Sequence, residues 1–265
     1  MIENLFAVLV IVVYILLTFL YGFRLASGRK GLPKTRLLLI AYVALLMHAW
    51  LLYMNLFSGP ALDISFYTVF SLIAWVITLL LISFAWREPI ENLTVGVFPI
   101  AALAVLLRAL NDKVTLLAHD LSPALEIHII TSLIAYSLLS IAALQSIMLY
   151  LQDAQLHKKH ATGFIRALPP LETMEKLLFK MIGVGFVVLC VSLGTGLFFI
   201  EDLISQHKTV LSIGAWLLFA VLLWGRWQFG WRGRTAIRWT LTGFVLLLLA
   251  YFGSKFVLEI ILHRQ

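Results

Sequence analysis

Along this chain, apolar residues gather into runs near the ~20 positions that a helix needs to cross a bilayer core, and charged residues collect between the runs. Eight runs can be placed, at Leu5–Phe23, Leu37–Phe57, Ile64–Trp86, Leu93–Leu107, Ala124–Leu151, Leu177–Ile200, Thr209–Trp227 and Trp239–Leu262. The expected fold is an all-α membrane protein, a bundle of about eight transmembrane helices forming one polytopic membrane domain over residues 1–265. The fourth run is the shortest and carries Pro99, so a buried or re-entrant segment is the alternative to a full crossing there.

Composition points the same way. The chain is 62% hydrophobic and only 12% charged, with a mean hydropathy of +1.00, whereas a soluble domain carries roughly 25% charged residues. Eight crossings leave little length for a separate soluble domain. The opening Met1-Ile2-Glu3-Asn4 lacks the basic start of a cleavable signal peptide. The first run is also long for a signal core, so it is expected to remain as a membrane anchor.

Charge sets the expected orientation, because Lys and Arg accumulate in cytoplasmic loops. Arg24, Arg29, Lys30, Lys34 and Arg36 follow the first run; Arg87 follows the third; Lys158, Lys159, Arg166, Lys176 and Lys180 follow the fifth; Arg226, Arg232, Arg234 and Arg238 follow the seventh. These are fifteen of the 20 basic residues. Both termini are therefore expected outside. Removing the fourth run would move the basic loop 152–176 outside, which argues for keeping it. The net charge of +7 follows from this topology and needs no nucleic-acid partner.

Candidate chemistry is sparse. Cys190 is the single cysteine, so the chain can form no internal disulfide, no Cys-x-x-Cys redox pair and no c-type haem attachment site. No phosphate-binding glycine loop, Ser/His/Asp arrangement or His-Glu-x-x-His occurs, and no catalytic residue is assigned. What stands out is Leu125-Glu126-Ile127-His128-Ile129-Ile130-Thr131-Ser132, an acid and an imidazole just inside the fifth run. Ionisable groups inside a membrane are costly, and they line cavities, pair with each other or hold ligands. His48, in Leu45-Leu46-Met47-His48-Ala49-Trp50, stands near the centre of the second run. It reads either as a ligand or proton-handling residue, or as a neutral imidazole bonded to a backbone or hydroxyl group of a neighbouring helix. His119, His157, His160 and His263 fall in loops or at the terminus and read as solvated.

Helical periodicity places His128, Ser132, Ala135, Leu139, Ala142 and Ser146 on one narrow arc of the fifth run. Gly185, Ser192 and Gly196 share a face of the sixth, and both faces are small enough for close helix contact.

These residues resemble the cytochrome c assembly family. The order His128, Ala135-Tyr136, a basic loop, Leu168-Pro169-Pro170-Leu171-Glu172-Thr173-Met174-Glu175-Lys176, then the glycine-rich stretch Ile182-Gly183 to Thr195-Gly196 carries the likeness. Trp224-Gly225, Gly230-Trp231-Arg232-Gly233-Arg234 and Tyr251-Phe252-Gly253-Ser254 extend it to about residue 255. Within the family the chain looks most like the small YpjD and HemX type. The resemblance implies haem handling at the bacterial inner membrane, with heme b as cofactor and other cytochrome c maturation proteins as partners beside membrane lipid. It carries His128 over as a haem-facing histidine on the outer side. Glu126 is a candidate partner for its second ring nitrogen, and His48 or His207 a candidate second ligand to the haem iron.

The chain also departs from the haem-transferring members of that family. Those bear an outer loop with a Trp-Gly-x-x-Trp-x-Trp-Asp pattern, whereas Leu197–Lys208 contains no tryptophan. Trp224 and Arg226 stand where those members have a histidine before Gly-Trp-Arg-Gly, and only His263 lies past the last run. The expected role is therefore accessory, haem binding without presentation. A small-solute or ion transporter using His48, His128 and Glu126 as a polar path is the first alternative. The second is a non-catalytic regulator of haem biosynthesis acting through the basic loop 152–176.

Overall fold

A computed structural model of the chain describes residues 2–28, 31–56, 62–111, 115–117, 122–157, 167–196 and 207–253. The loop histidines His119 and His160, the terminal His263 and most of the loop 197–208 lie outside these residues, and only the backbone of His207 is described. The helices are α1 (Ile2–Ala26), α2 (Lys34–Leu56), α3 (Phe66–Ala85), α4 (Thr94–Ala109), α5 (Pro123–His157), α6 (Leu171–Gly196), α7 (His207–Phe229) and α8 (Gly233–Leu248). A π turn, Leu249–Gly253, continues α8. Among the described residues, eight helical segments are long and apolar enough to cross a membrane, so the all-α membrane fold expected from hydropathy is the fold observed.

Proline and glycine set the helix ends. Gly28 and Gly31 adopt φ of 69° and 99°, a left-handed backbone that costs glycine little, and they stop α1. Pro123 opens α5 and Pro170 immediately precedes α6, positions where the missing N–H would have had no helical partner. Pro99 lies inside α4 and removes one helical hydrogen bond. The segment nonetheless reaches 19 residues, because a 3-10 turn at Glu91–Leu93 runs directly into it. At about 1.5–2 Å per residue that is close to the ~30 Å hydrocarbon thickness. Several helices overrun the hydropathic segments. The fifth ends at His157 rather than Leu151, since Gln152, Asp153 and Gln155 continue the helix although they are polar.

The chain divides into two compact units. The first comprises residues 1–119 and 154–169, the second 120–153 and 170–265. In the first, α1 packs on α2 and α4, and α3 on α2 and α4. Val10, Tyr14, Leu17 and Tyr21 recur on one face of α1 and are fully buried, and both tyrosine rings meet Phe98 of α4, 5.8 and 5.7 Å away. Leu5, Val8, Leu9, Val12 and Phe19 on the other side are exposed, as a lipid-facing surface should be. An antiparallel pairing of Leu62–Asp63 with Leu116–Leu117, which hydropathy did not indicate, ties the loops at one end of the unit. In the second unit α6 packs on α7, and α7 on α8 and its π turn.

Candidate functional site

The small faces expected on the fifth and sixth helices meet residue by residue. A Cβ placed on Gly185 would lie 3.0 Å from a Leu139 methyl, so the missing side chain is what lets α5 and α6 approach. One level further along, the hydroxyls of Ser132 and Ser192 are 2.6 Å apart. At the end of the seam the imidazole of His128 lies over Gly196, where an added Cβ would come within 3.0 Å of Cε1 and 3.2 Å of Nδ1. Serine, glycine and histidine thus form a graded seam that ends in a half-buried imidazole.

Hydrogen bonding fixes the state of that imidazole. His128 Nδ1 is 2.8 Å from the carbonyl oxygen of Ser192. A carbonyl only accepts, so Nδ1 carries the proton and, in the neutral ring, Nε2 carries the lone pair. Thr195 Oγ1, which donates to the Val191 and Ser192 carbonyls at 3.0 and 2.9 Å, stands 3.4 Å from Nδ1 and reinforces the same assignment. Among the described residues Nε2 has no hydrogen-bond partner. A backbone carbonyl holding the distal N–H of a histidine is the arrangement that orients metal-ligating imidazoles. Glu126 was the expected partner for this N–H. It is exposed instead, and the Ser192 carbonyl occupies that role.

His48 is placed differently. It is wholly buried in the first unit, with Nδ1 3.2 Å from Tyr14 Oη and Nε2 2.9 Å from Ser71 Oγ. Both partners are hydroxyls, each able to donate or accept, so neither tautomer is imposed. A partly open cavity of about 230 Å³ reaches it, lined also by Glu3, Asn4, Asn55 and Arg108. His48 and His128 belong to different units. His207 begins α7.

Two acidic residues with structural roles went unrecognised in the sequence. Asp63 is almost fully buried and accepts from the Ser65 and Thr115 backbones at 2.9 and 3.1 Å, from Thr68 Oγ1 at 2.6 Å and from Arg108 at 3.4 Å. It ties the entry to α3 to the end of α4. Glu175 accepts from Gly233 N at 2.6 Å and Arg232 Nε at 3.0 Å. The Gly-Trp-Arg-Gly-Arg segment is therefore a structural knot. Trp231 sits against Gly225, where a Cβ would come within van der Waals overlap of the indole, and its ring lies tilted against Trp239, with centroids 5.3 Å apart. Arg226 bonds the Trp231 carbonyl at 3.0 Å, and Arg234 reaches Asp153 at 3.3 Å. Two of the motifs that carried the likeness, Leu168–Lys176 and Gly230–Arg234, are thus joined through Glu175.

The family described as cytochrome c assembly protein matches residues 37–262, from the second helix to the end of the last apolar run. The chain belongs to the cytochrome c assembly family. It is 41% identical over 154 residues to the inner membrane protein YpjD of Escherichia coli K12, a match covering 57% of each chain. The chain thus spans little more than half the length of that relative. It is 36% identical over 143 residues to a 28.8 kDa protein of Azospirillum brasilense, covering 52% of this chain and 53% of the other. The cytochrome c biogenesis protein CcsA of Synechococcus sp. CC9605 is 26% identical over 271 residues, covering 90% of this chain and 88% of its own. No solved structure matches the chain. The family assignment agrees with the resemblance carried by His128, the Leu168-Pro169-Pro170 segment and the Gly-Trp-Arg-Gly-Arg knot.

Proposed function

We propose that this multi-pass protein is a haem-handling accessory of c-type cytochrome assembly at the bacterial inner membrane, with His128 as an axial ligand donor. One observation carries the reading: the Ser192 carbonyl holds Nδ1–H and leaves the Nε2 lone pair uncommitted. Bound haem would supply an iron able to accept that lone pair. Gly196 keeps one flank of the ring clear of a side chain, and the imidazole is half-buried at a span end.

Of the other candidate ligands, His48 is the less suited. Both nitrogens of His48 are engaged by hydroxyls, and the cavity beside it, about 230 Å³, falls below the ~300–1,000 Å³ typical of pockets for drug-sized ligands. Glu126 becomes an exposed charge near the site rather than a partner of the ring. The basic residues after α1, α5 and α7 support an orientation with both termini outside, which puts His128 near the outer face.

Binding without presentation follows from the missing tryptophan pattern between Leu197 and Lys208. A deletion strain is expected to show altered c-type haem staining or haem pools with intact membranes. Normal cytochrome c and haem levels together with a specific ion or solute transport defect would replace this reading with the transporter.

A further inference from the structure

We propose that the first unit contains a hydrated half-channel through which the buried His48 exchanges protons with one face of the membrane. The cavity's lining includes the start of α1 at Glu3 and Asn4, the end of α2 at Met54 and Asn55, and the end of α4 at Arg108. All three are helix ends at the same end of the unit. From there it narrows to His48 and Ser71, which lie eight residues before the end of α2 and five after the start of α3. At ~1.5 Å per residue these positions are roughly 12 and 8 Å deep. Arg108 Nε is buried in this region with no hydrogen-bond partner, a donor that a water molecule would satisfy.

Charge decides which occupant fits. Arg108 is compensated by Asp63, 3.4 Å away, and Glu3 adds a second carboxylate at the mouth. The cavity therefore has no net positive field to hold an anion, and water or a proton is the occupant it favours. Glu3 of α1 and Arg108 of α4 are the ionisable groups that line it beside His48, and Tyr14 of α1 bonds the ring, while α3 contributes only the Ser71 hydroxyl.

The hydrogen-bond chain at its inner end suits proton exchange. Ser71, His48 and Tyr14 are joined in sequence, with Ser71 Oγ 2.9 Å from Nε2 and Tyr14 Oη 3.2 Å from Nδ1. In the tautomer whose Nδ1–H donates to Tyr14, Ser71 donates to the bare Nε2. A hydronium in the cavity then gives its proton to Ser71 Oγ as Ser71 passes its own to Nε2, leaving water and an imidazolium; the reverse transfer restores the neutral ring. Among the described residues the chain ends at the Tyr14 hydroxyl. It is an exchange site open to one side rather than a conducting pore.

Thiol accessibility in the full chain reconstituted in lipid nanodiscs tests this. In a Cys190→Ala background, Ser71→Cys is expected to react with a water-soluble cationic methanethiosulfonate at least tenfold faster than Leu46→Cys, which is 68% exposed but toward lipid. Adding Asn4→Trp at the mouth should slow the Ser71→Cys reaction. Equal protection of both cysteines would overturn the proposal, as would a Ser71→Cys rate that Asn4→Trp leaves unchanged. The unaltered chain gives an independent reading through the ring N–H of His48, identified by its loss in His48→Gln. Rapid exchange with water supports the half-channel, and protection lasting hours contradicts it.

Discussion

The Nδ1 atom of His128 stands 2.8 Å from the carbonyl oxygen of Ser192, so a main-chain group of α6 dictates the tautomer of a side chain on α5. A carbonyl cannot be removed by mutation, but its alignment with the ring depends on Gly196. A methyl at that position would lie 3.0 Å from Cε1. Gly196→Ala is therefore expected to tilt the imidazole and weaken haem binding by about tenfold, in the range that outer-shell disturbances of metal ligands produce. Titration of the purified variant with haem, followed by absorbance, checks it.

Glu175 is predicted to hold one end of the second unit together. Its carboxylate accepts from Gly233 N and Arg232 Nε, and it is 8% exposed. Losing charge-assisted hydrogen bonds at a buried site costs about 1.5–3 kcal/mol. Glu175→Ala should lower the unfolding midpoint in detergent by an amount of that order, and Glu175→Gln by less, because its amide oxygen still accepts from Gly233. Equal midpoints for the native chain and Glu175→Ala would remove the knot as a source of stability.

Gly225 is expected to tolerate no side chain without rearrangement. A Cβ there would overlap the Trp231 indole, whose position is also fixed by Trp239 and by the Arg226 bond to its carbonyl. Gly225→Ala should destabilise by about 1–3 kcal/mol, the usual cost of overpacking. Thermal unfolding of the variant beside Gly214→Ala, where a Cβ meets nothing closer than 3.7 Å, provides the comparison.

The membrane orientation is testable without any ligand. Reporters fused in the loops after α1, after α5 near position 160, and after α7 are expected to read as cytoplasmic, because these loops carry most of the basic residues. An outward-facing reporter near 160 would invert the account of which face His128 serves.

Hydropathy made the eight helices legible because crossing length and apolarity are local properties of the chain. Helical spacing also marked the small faces of α5, at Ser132, and of α6, at Gly185, Ser192 and Gly196, although not that they meet. Partners were less legible. His128 has an acidic neighbour two positions away at Glu126, yet its proton goes to Ser192, 64 positions along. Asp63 stands just before the third apolar run, and its burial depends on Thr68, Thr115 and Arg108, up to 52 positions distant. Glu175 fell inside a recognised motif, but its bond to Gly233 joins residues 58 apart. A polar side chain's chemistry can be read from its type, whereas its partner is fixed only once helices have packed. The overrun of α5 to His157 has a simpler cause: helix propensity continues where apolarity stops.

The most direct test is the absorbance of the protein purified from cells with adequate haem, compared with His128→Ala and His48→Gln. The native chain is expected to show a Soret band that is lost or shifted in His128→Ala and retained in His48→Gln. An unchanged band in His128→Ala, or a band abolished only by His48→Gln, would contradict the assignment of His128 as the iron-facing histidine.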